Sequence, residues 1–210
     1  MGSSPLPIAV LASGEGTNLQ AILDTLHGRG RVEVVAVGSD KEGARALARA
    51  GAAGIPTRRF PIDGDADRER RDLAIADWLQ ESRVELVVLA GYMQLLSAGF
   101  LERFPRRVIN VHPALLPSFP GLDAIGQAHR HGVRFSGVTI HFVDAGVDTG
   151  PIILQEPIEL KYTRPIADFE AEIHRVEHRL LPRAIELIAE GSVIVDADNP
   201  RLVRIDERRG

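Results

Sequence analysis

The chain has no cysteine. Its absence excludes disulfide bonds, thiolate metal sites and a cysteine nucleophile, and accords with a reducing compartment, so a cytoplasmic setting is the expectation. Nor is there a surplus of positive charge. Lys and Arg number 25 against 29 Asp and Glu, a formal net charge of −4, which offers nucleic acid or an anionic membrane no bulk field to follow. No apolar run approaches the ~20 residues of a membrane span, and the opening "MGSSPLP" has neither a charged n-region nor an apolar h-region. Met1–Ser4 reads as a vector-derived remnant rather than a lipidation signal. Internal repeats and low-complexity linkers are missing too. A chain of 210 residues, 44% hydrophobic, can bury a core of its own. The expectation is one domain over residues 1–210, monomeric or homodimeric, that acts on small molecules and has no nucleic-acid or membrane partner.

What is present is alternation. Short β-branched runs begin at Pro7, Val32, Val84, Arg107 and Gly137, and "ELVVLA" is near-continuously apolar, as strands buried on both faces of a parallel sheet are. Helical patterns lie at 18–26, 43–53, 67–79, 98–104 and 123–131. A longer one, 166–189, contains Pro182, which is expected to kink or split it. The tail from Gly191 suggests a short hairpin and a charged, frayed end. The predicted class is α/β: an open, mainly parallel twisted sheet with helices on both faces, Rossmann-like.

Three stretches carry candidate chemistry. In "LASGEGTNLQAI" a strand runs into a glycine turn and a helix; Gly14 and Gly16 let the backbone approach a ligand, and helix-terminal N–H groups suit a phosphate. No Lys-Ser/Thr pair follows the glycines, so this is not an ATP-hydrolysing P-loop, and Leu19 holds the third glycine's place in a dinucleotide fingerprint. An ordinary turn capped by Thr17 or Asn18 is the alternative. In "NVHPALLPSFPG", Asn110 and His112 stand two apart on one strand and therefore share a face. They end at the carboxyl edge, where open α/β sheets bind ligands. An Asn amide can donate to an oxyanion and a His can move a proton; the alternative is that both satisfy backbone groups before the Pro113 turn. In "HFVDAGVDTGPIILQ" a strand from Val138 to Val143 leads through an acidic loop to a strand from Ile152 to Leu154. Asp144 and Asp148 read as turn residues, but Asp148 beside His112 would raise the His pKa and complete a proton-transfer trio.

One further pattern, "HRVEH" at His174 to His178, matches the inverted zinc-protease motif, with both histidines on one helix face. Few ordered acidic residues follow to supply a third ligand, and no metal is expected. His129 and His131 diverge on their helix and read as surface residues.

Together and in this order, "SGEGTNLQAI", "LAGYMQLLS", "NVHPALLPSFPG" and "HFVDAGVDTGPIILQ" resemble the glycinamide ribonucleotide formyltransferases, folate-dependent enzymes of purine synthesis. The resemblance spans nearly the whole chain. It implies a formyltransferase fold whose N-terminal part holds the ribonucleotide phosphate through Gly16, Thr17 and Asn18, with Gly91, Pro113 and Glu177 against the same substrate. The C-terminal part would contribute to the folate site. The 10-formyltetrahydrofolate co-substrate would meet Arg68, in uncertain register with Arg70 and Arg71, then Met93, Gln94, Leu95 and Leu96, and Asn110, Val143, Asp144 and Gly146. Asn110, His112 and Asp148 would be catalytic: the amine attacks the formyl carbon, Asn110 and protonated His112 stabilise the oxyanion, and Asp148 sustains the charged His and helps the proton across. Gln94, where relatives often carry Arg, and Asp123, where some carry His, are departures beside the expected pockets. Related readings are methionyl-tRNA formyltransferase, which needs a basic RNA-binding domain, and formyltetrahydrofolate hydrolase, which typically has His in place of Pro113. A non-catalytic phosphate-ligand sensor is the reading from another class.

Overall fold

A computed structural model of the chain describes residues 4–61 and 68–206. Met1–Ser3, the predicted helix start at Asp67 and the last four residues of the predicted charged tail lie outside that range. The chain divides into two compact units, Met1–Ile109 and Asn110–Gly210.

The first unit alternates strand and helix: β1 (Leu6–Leu11), α1 (Thr17–Thr25), β2 (Val32–Ser39), α2 (Arg45–Ala52), β3 (Thr57–Arg59), α3 (Arg68–Glu81), β4 (Leu86–Leu89) and α4 (Ala98–Arg103). Its strands run in the order β3-β2-β1-β4, and each of these pairings is parallel. Parallel neighbours need a crossover between them, and helical crossovers hide both sheet faces. Hence Ile8 to Ala12 and Leu86 to Val88 have no appreciable solvent exposure. Helix α2 packs on β2 and β3 through Ala46 and Ala50. The short β3, "TRR", is exposed throughout and offers no apolar run by which sequence reading could find it.

The division falls inside β5 (Val108–His112), and the second unit continues with α5 (Ala124–His131), β6 (Phe135–Phe142), β7 (Ile152–Glu159), α6 (Ile166–Ala189), β8 (Val193–Val195) and β9 (Val203–Ile205). Its sheet order is β5-β6-β7, with β6 and β7 antiparallel, and β8 and β9 form a separate hairpin. The predicted strand 152–154 thus extends to Glu159. Pro157 lies within it, tolerated because β7 is the last strand of the order and an edge strand has no ladder bond to lose on its outer side. Helix α6 packs on β6 and β7 through an apolar stripe that includes Phe169, Ile173, Leu181 and Ile185. It runs unbroken through Pro182. The predicted split does not occur, because the stripe on both sides of the proline is buried and holds one helix where local propensity alone would end it.

The expected α/β class, with a mainly parallel sheet, is what these strands and helices make.

Candidate active site

Strand β5 ends the way the sequence pattern suggests. His112 is buried, 4% exposed, and Asn110 on the same face is half-buried. The acidic loop brings Asp148 to both: its Oδ2 is 3.3 Å from His112 Nδ1 and its Oδ1 accepts from Asn110 Nδ2 at 3.4 Å. Asp148 Oδ2 also accepts the Gly121 N–H at 2.7 Å. Asp148 itself sits in the left-handed region at φ 52, and Gly150 lies so close to β6 that a Cβ there would be 1.8 Å from Phe142 O. The loop can take this path only with glycine at that point.

A fourth side chain joins them. His141, 2% exposed near the end of β6, has Nδ1 2.9 Å from the Phe142 carbonyl and Nε2 3.2 Å from Asn110 Nδ2. The carbonyl can only accept, so Nδ1 donates to it, while Nε2 faces both Asn110 Nδ2 and, at 3.5 Å, Asp148 Oδ1. Sequence reading missed His141. No local pattern marks it, because its meeting with Asn110 depends on which residue of another strand lies opposite.

The partners also fix the protonation of His112. Its Nε2 lies 2.8 Å from the Phe119 carbonyl and must donate to it. Burial is the largest influence on this imidazole and pushes its pKa below the ordinary value of 6.5, outweighing the opposing pull of Asp148 and of the Phe119 carbonyl. Asp148 raises the His112 pKa, as expected, but does not set the balance. Desolvation of a ring this deeply buried is stronger. Burial also pushes Asp148 upward, yet the His141 hydrogen bond, the Gly121 N–H and the neighbouring imidazoles together hold it below the ordinary carboxylate range. Near neutral pH the site thus contains an ionised Asp148 facing the unprotonated Nδ1 of a neutral His112. It is a place for one proton, shared between two atoms 3.3 Å apart.

The turn after β5 is held by a small polar clamp. Thr139, fully buried in β6, donates its hydroxyl to Ala114 O at 2.7 Å and accepts from Leu116 N–H at 3.1 Å. Gln155 in β7 donates to Leu116 O and to Thr139 Oγ1 at 2.8 and 2.9 Å. Pro113 is half-buried at the start of this turn. Glu177 of α6, 5% exposed, pairs with His174 Nδ1 at 3.1 Å, and its charge reaches His112. The Glu177 hydrogen bond raises the His174 pKa, whereas burial lowers that of His178. Among the described residues no group of three or more His, Cys, Asp or Glu side chains is placed to hold a metal ion.

In the first unit the glycine turn opens α1. The capping residue is Gly16 itself, at φ 69 and with no side-chain cap, rather than Thr17 or Asn18. A Cβ at Gly16 would lie 2.7 Å from Ala46 Cα at the start of α2, so the position needs glycine for space as well as conformation. The first helical bond runs from Gln20 N–H to Gly16 O, which leaves the N–H groups before it outside the helical ladder and suited to an anion. Ser13 ties the Gly91 segment to this turn: its N–H donates to Gly91 O at 3.0 Å and its Oγ accepts from Met93 N–H at 2.9 Å. Beyond it, Gln94 donates to the buried Asp40 at 3.1 Å, Arg68 donates to Leu96 O at 3.2 Å and Ser97 N–H donates to Asp72 at 2.6 Å. Arg71 is buried against Asp72 at 2.7 Å, which removes it from the three arginines considered for ligand contact. Met93 and Leu95 are exposed, at 56% and 54%. In the acidic loop of the second unit, Val143 is half-buried and Asp144 accepts from Gly146 N–H at 3.0 Å, the expected turn bond.

An α/β chain with a glycine turn opening its first helix, and with an amide, two imidazoles and a carboxylate gathered at a strand end, has the framework of a group-transfer enzyme. The chain belongs to the formyl transferase family, which matches residues 6–185. It is 40% identical over 179 residues to the phosphoribosylglycinamide formyltransferase of Bacillus subtilis (strain 168), covering 85% of this chain and 92% of that one. Among solved structures, glycinamide ribonucleotide transformylase 1 from Symbiobacterium toebii superposes with a TM-score of 0.90 at 46% identity, covering 96% of this chain and 94% of that one. A formyltetrahydrofolate deformylase from Pseudomonas syringae pv. tomato str. DC3000 gives a TM-score of 0.88 at 26% identity, covering 98% of this chain but 67% of that one.

Proposed function

We propose that the protein transfers the formyl group of 10-formyltetrahydrofolate to the primary amine of glycinamide ribonucleotide, giving N-formylglycinamide ribonucleotide for de novo purine synthesis in the cytoplasm. Residues 1–210 act as one formyltransferase domain in this reading. The observation that carries it is the meeting of Asn110, His112, His141 and Asp148 within hydrogen-bond reach of one another. The close relationship to phosphoribosylglycinamide formyltransferases supports it.

The roles of the segments follow the resemblance to the glycinamide ribonucleotide formyltransferases. Gly16, Thr17 and Asn18 take the ribonucleotide phosphate on the N–H groups that open α1, Gly91 and Pro113 lie along the same substrate, and Glu177 meets its amine or ribose. The folate takes the segment Met93–Leu96, together with Arg68, Val143, Asp144 and Gly146. That segment fits a flat heterocycle: Met93 and Leu95 offer exposed apolar surface, while Met93 N–H and Leu96 O are pinned by Ser13 and Arg68, so the edge groups keep a fixed spacing.

The reaction needs a free amine, a donor to the formyl oxygen and a destination for one proton. As the amine nitrogen bonds to the formyl carbon, the carbonyl π pair moves onto oxygen, and Asn110 turns to that developing oxyanion the N–H it otherwise directs at Asp148 Oδ1, the longer of its two contacts. A positioned donor of this kind contributes roughly 2.7–4 kcal/mol. The attacking nitrogen becomes positive and gives up its proton. His112 Nδ1 receives it against Asp148, and the resulting imidazolium is held by the carboxylate and by the Phe119 carbonyl. The proton then returns to the departing folate nitrogen as the carbon–nitrogen bond breaks. His112 therefore acts first as a base, and its protonated form is the intermediate rather than the resting state.

The test is direct. The protein is incubated with 10-formyltetrahydrofolate and glycinamide ribonucleotide, and formylated amide and free formate are both measured. Stoichiometric formylated amide is the expected result. Formate alone, whether or not the ribonucleotide is present, assigns hydrolysis instead, and binding of the ribonucleotide with neither product assigns a sensor.

A further inference from the structure

The hairpin of β8 and β9 is built to present one side chain. Asp196 accepts from the Asp198 and Asn199 N–H groups at 3.0 and 2.9 Å, and Asn199 Oδ1 accepts from Arg201 N–H at 3.1 Å. Backbone bonds from Asp196 N–H to Leu202 O and from Leu202 N–H to Asn199 O close the turn, and Arg204 pairs with Asp196 from the following strand. So anchored, Arg201 reaches back 52 positions along the chain to donate Nη2–H to Thr149 O at 3.0 Å.

Thr149 lies between Asp148, which the Gly121 N–H holds by its side chain, and Gly150, which is pressed onto β6. Between Asp148 and Ile152 the loop borders a cavity of about 270 Å³ whose other walls include Leu116, Pro117, Pro120 and Arg201. On its outer side the loop is tied locally, through Asp144 to Gly146 N–H and to the Thr149 hydroxyl. Asp148 meanwhile occupies a left-handed conformation that a non-glycine residue holds only when its surroundings impose it. Apolar packing does not fill the space under it. Among the described residues, the Arg201 bond is a side-chain tie that reaches this loop from the hairpin.

We infer that Arg201 is a positioning residue, a strap from the C-terminal hairpin that holds the Thr149 carbonyl and so keeps Asp148 aimed at His112. The inference rests on the proposed formyl transfer, in which Asp148 sustains the imidazolium. Arg201 touches none of the reacting groups and is itself exposed, so its removal should leave the fold intact. One exposed hydrogen bond corresponds to about a threefold to tenfold change in the population of the aligned loop.

Arg201→Ala is therefore expected to lower kcat by about threefold to tenfold, with the KM for the ribonucleotide and the thermal midpoint unchanged. Arg201→Lys, which retains a donor, should recover most of the loss. Amide hydrogen exchange at residues 145–150 should quicken in Arg201→Ala while the amides of β6 and β7 keep their protection. An unchanged kcat, or a loss accompanied by a lower midpoint and by faster exchange throughout the second unit, overturns the strap. If the unaltered protein makes no formylated amide, the reaction assignment fails by itself; the exchange measurement still decides the strap, and unchanged exchange at 145–150 refutes it.

Discussion

At the scale of single residues, function turns on where one proton resides. Asp148 is ionised and His112 neutral at rest, so replacing either Asn110 or Asp148 removes a different part of the same device. In the proposed mechanism Asn110→Ala loses the oxyanion donor, and Asp148→Asn leaves a buried imidazolium without its counter-charge. Each is expected to lower kcat by about 100- to 1000-fold while circular dichroism and the melting profile show a folded chain; near-normal turnover in both would remove these residues from the mechanism. The base role proposed for His112 also sets a sign with pH. Because burial holds its pKa below 6.5, the neutral form prevails above that value, and kcat/KM should fall on the acidic side as the ring becomes protonated before substrate arrives. Asp148 is one of the groups that raise this pKa, so in Asp148→Asn the residual activity should inflect at lower pH than in the unaltered protein. A residual profile displaced upward would contradict the pairing. Asn110, His112 and Asp148 were legible in the sequence because strand alternation shows which neighbours share a face and an acidic glycine loop marks a place for a carboxylate. His141 and the resting charge of His112 were not. The first depends on which residue of another strand lies opposite, and the second on the depth of burial; neither is a local property of the chain.

At the scale of elements, β6 and β7 do more than extend the sheet. Their antiparallel pairing places Thr139 opposite Gln155, and the two side chains together clamp Ala114 and Leu116 in the turn that follows His112. That turn goes on to supply the Phe119 carbonyl and the Gly121 N–H that hold His112 and Asp148. Thr139→Val keeps the shape and removes the hydroxyl, which leaves a buried carbonyl and a buried N–H without this partner. The expected cost is about 1–3 kcal/mol, read as a lower midpoint in urea with an unchanged slope. A midpoint equal to that of the unaltered protein would show that the turn holds without the clamp. Elements with strong periodicity were legible in full: β2 begins at Val32 and α6 spans 166–189, as their patterns predict. The failures have one cause. For β3, the second half of β7 and the unbroken helix through Pro182, neighbouring chain segments override weak or contrary local signals.

At the scale of the whole molecule, the buried titratable groups together set how stability responds to pH, and their signs can be added. Burial lowers the pKa of His112 and His178; each therefore contributes stability above the unfolded value of about 6.5, which is lost as pH falls through the folded value. Asp148, held below 3.8, behaves in the same sense but only at much lower pH. His174 opposes them. Its pKa is raised, first by the hydrogen bond to Glu177, so its contribution is complete below about 6.5 and is lost as pH rises through the folded value. Between pH 7.5 and 5.5, then, two histidines destabilise the fold on acidification and one stabilises it. The His174 side chain is 55% exposed while that of His112 is 5% exposed, and solvent screens the exposed His174–Glu177 interaction, so the buried His112 should prevail. Urea unfolding should show a lower midpoint at pH 5.5 than at pH 7.5. In His112→Gln, which can still donate to Phe119 but cannot titrate, the gap between the two midpoints should narrow; in His174→Gln it should widen. A gap that stays the same in His112→Gln would mean that this imidazole is not buried neutral, and the account of it as a base waiting for a proton would fall with it.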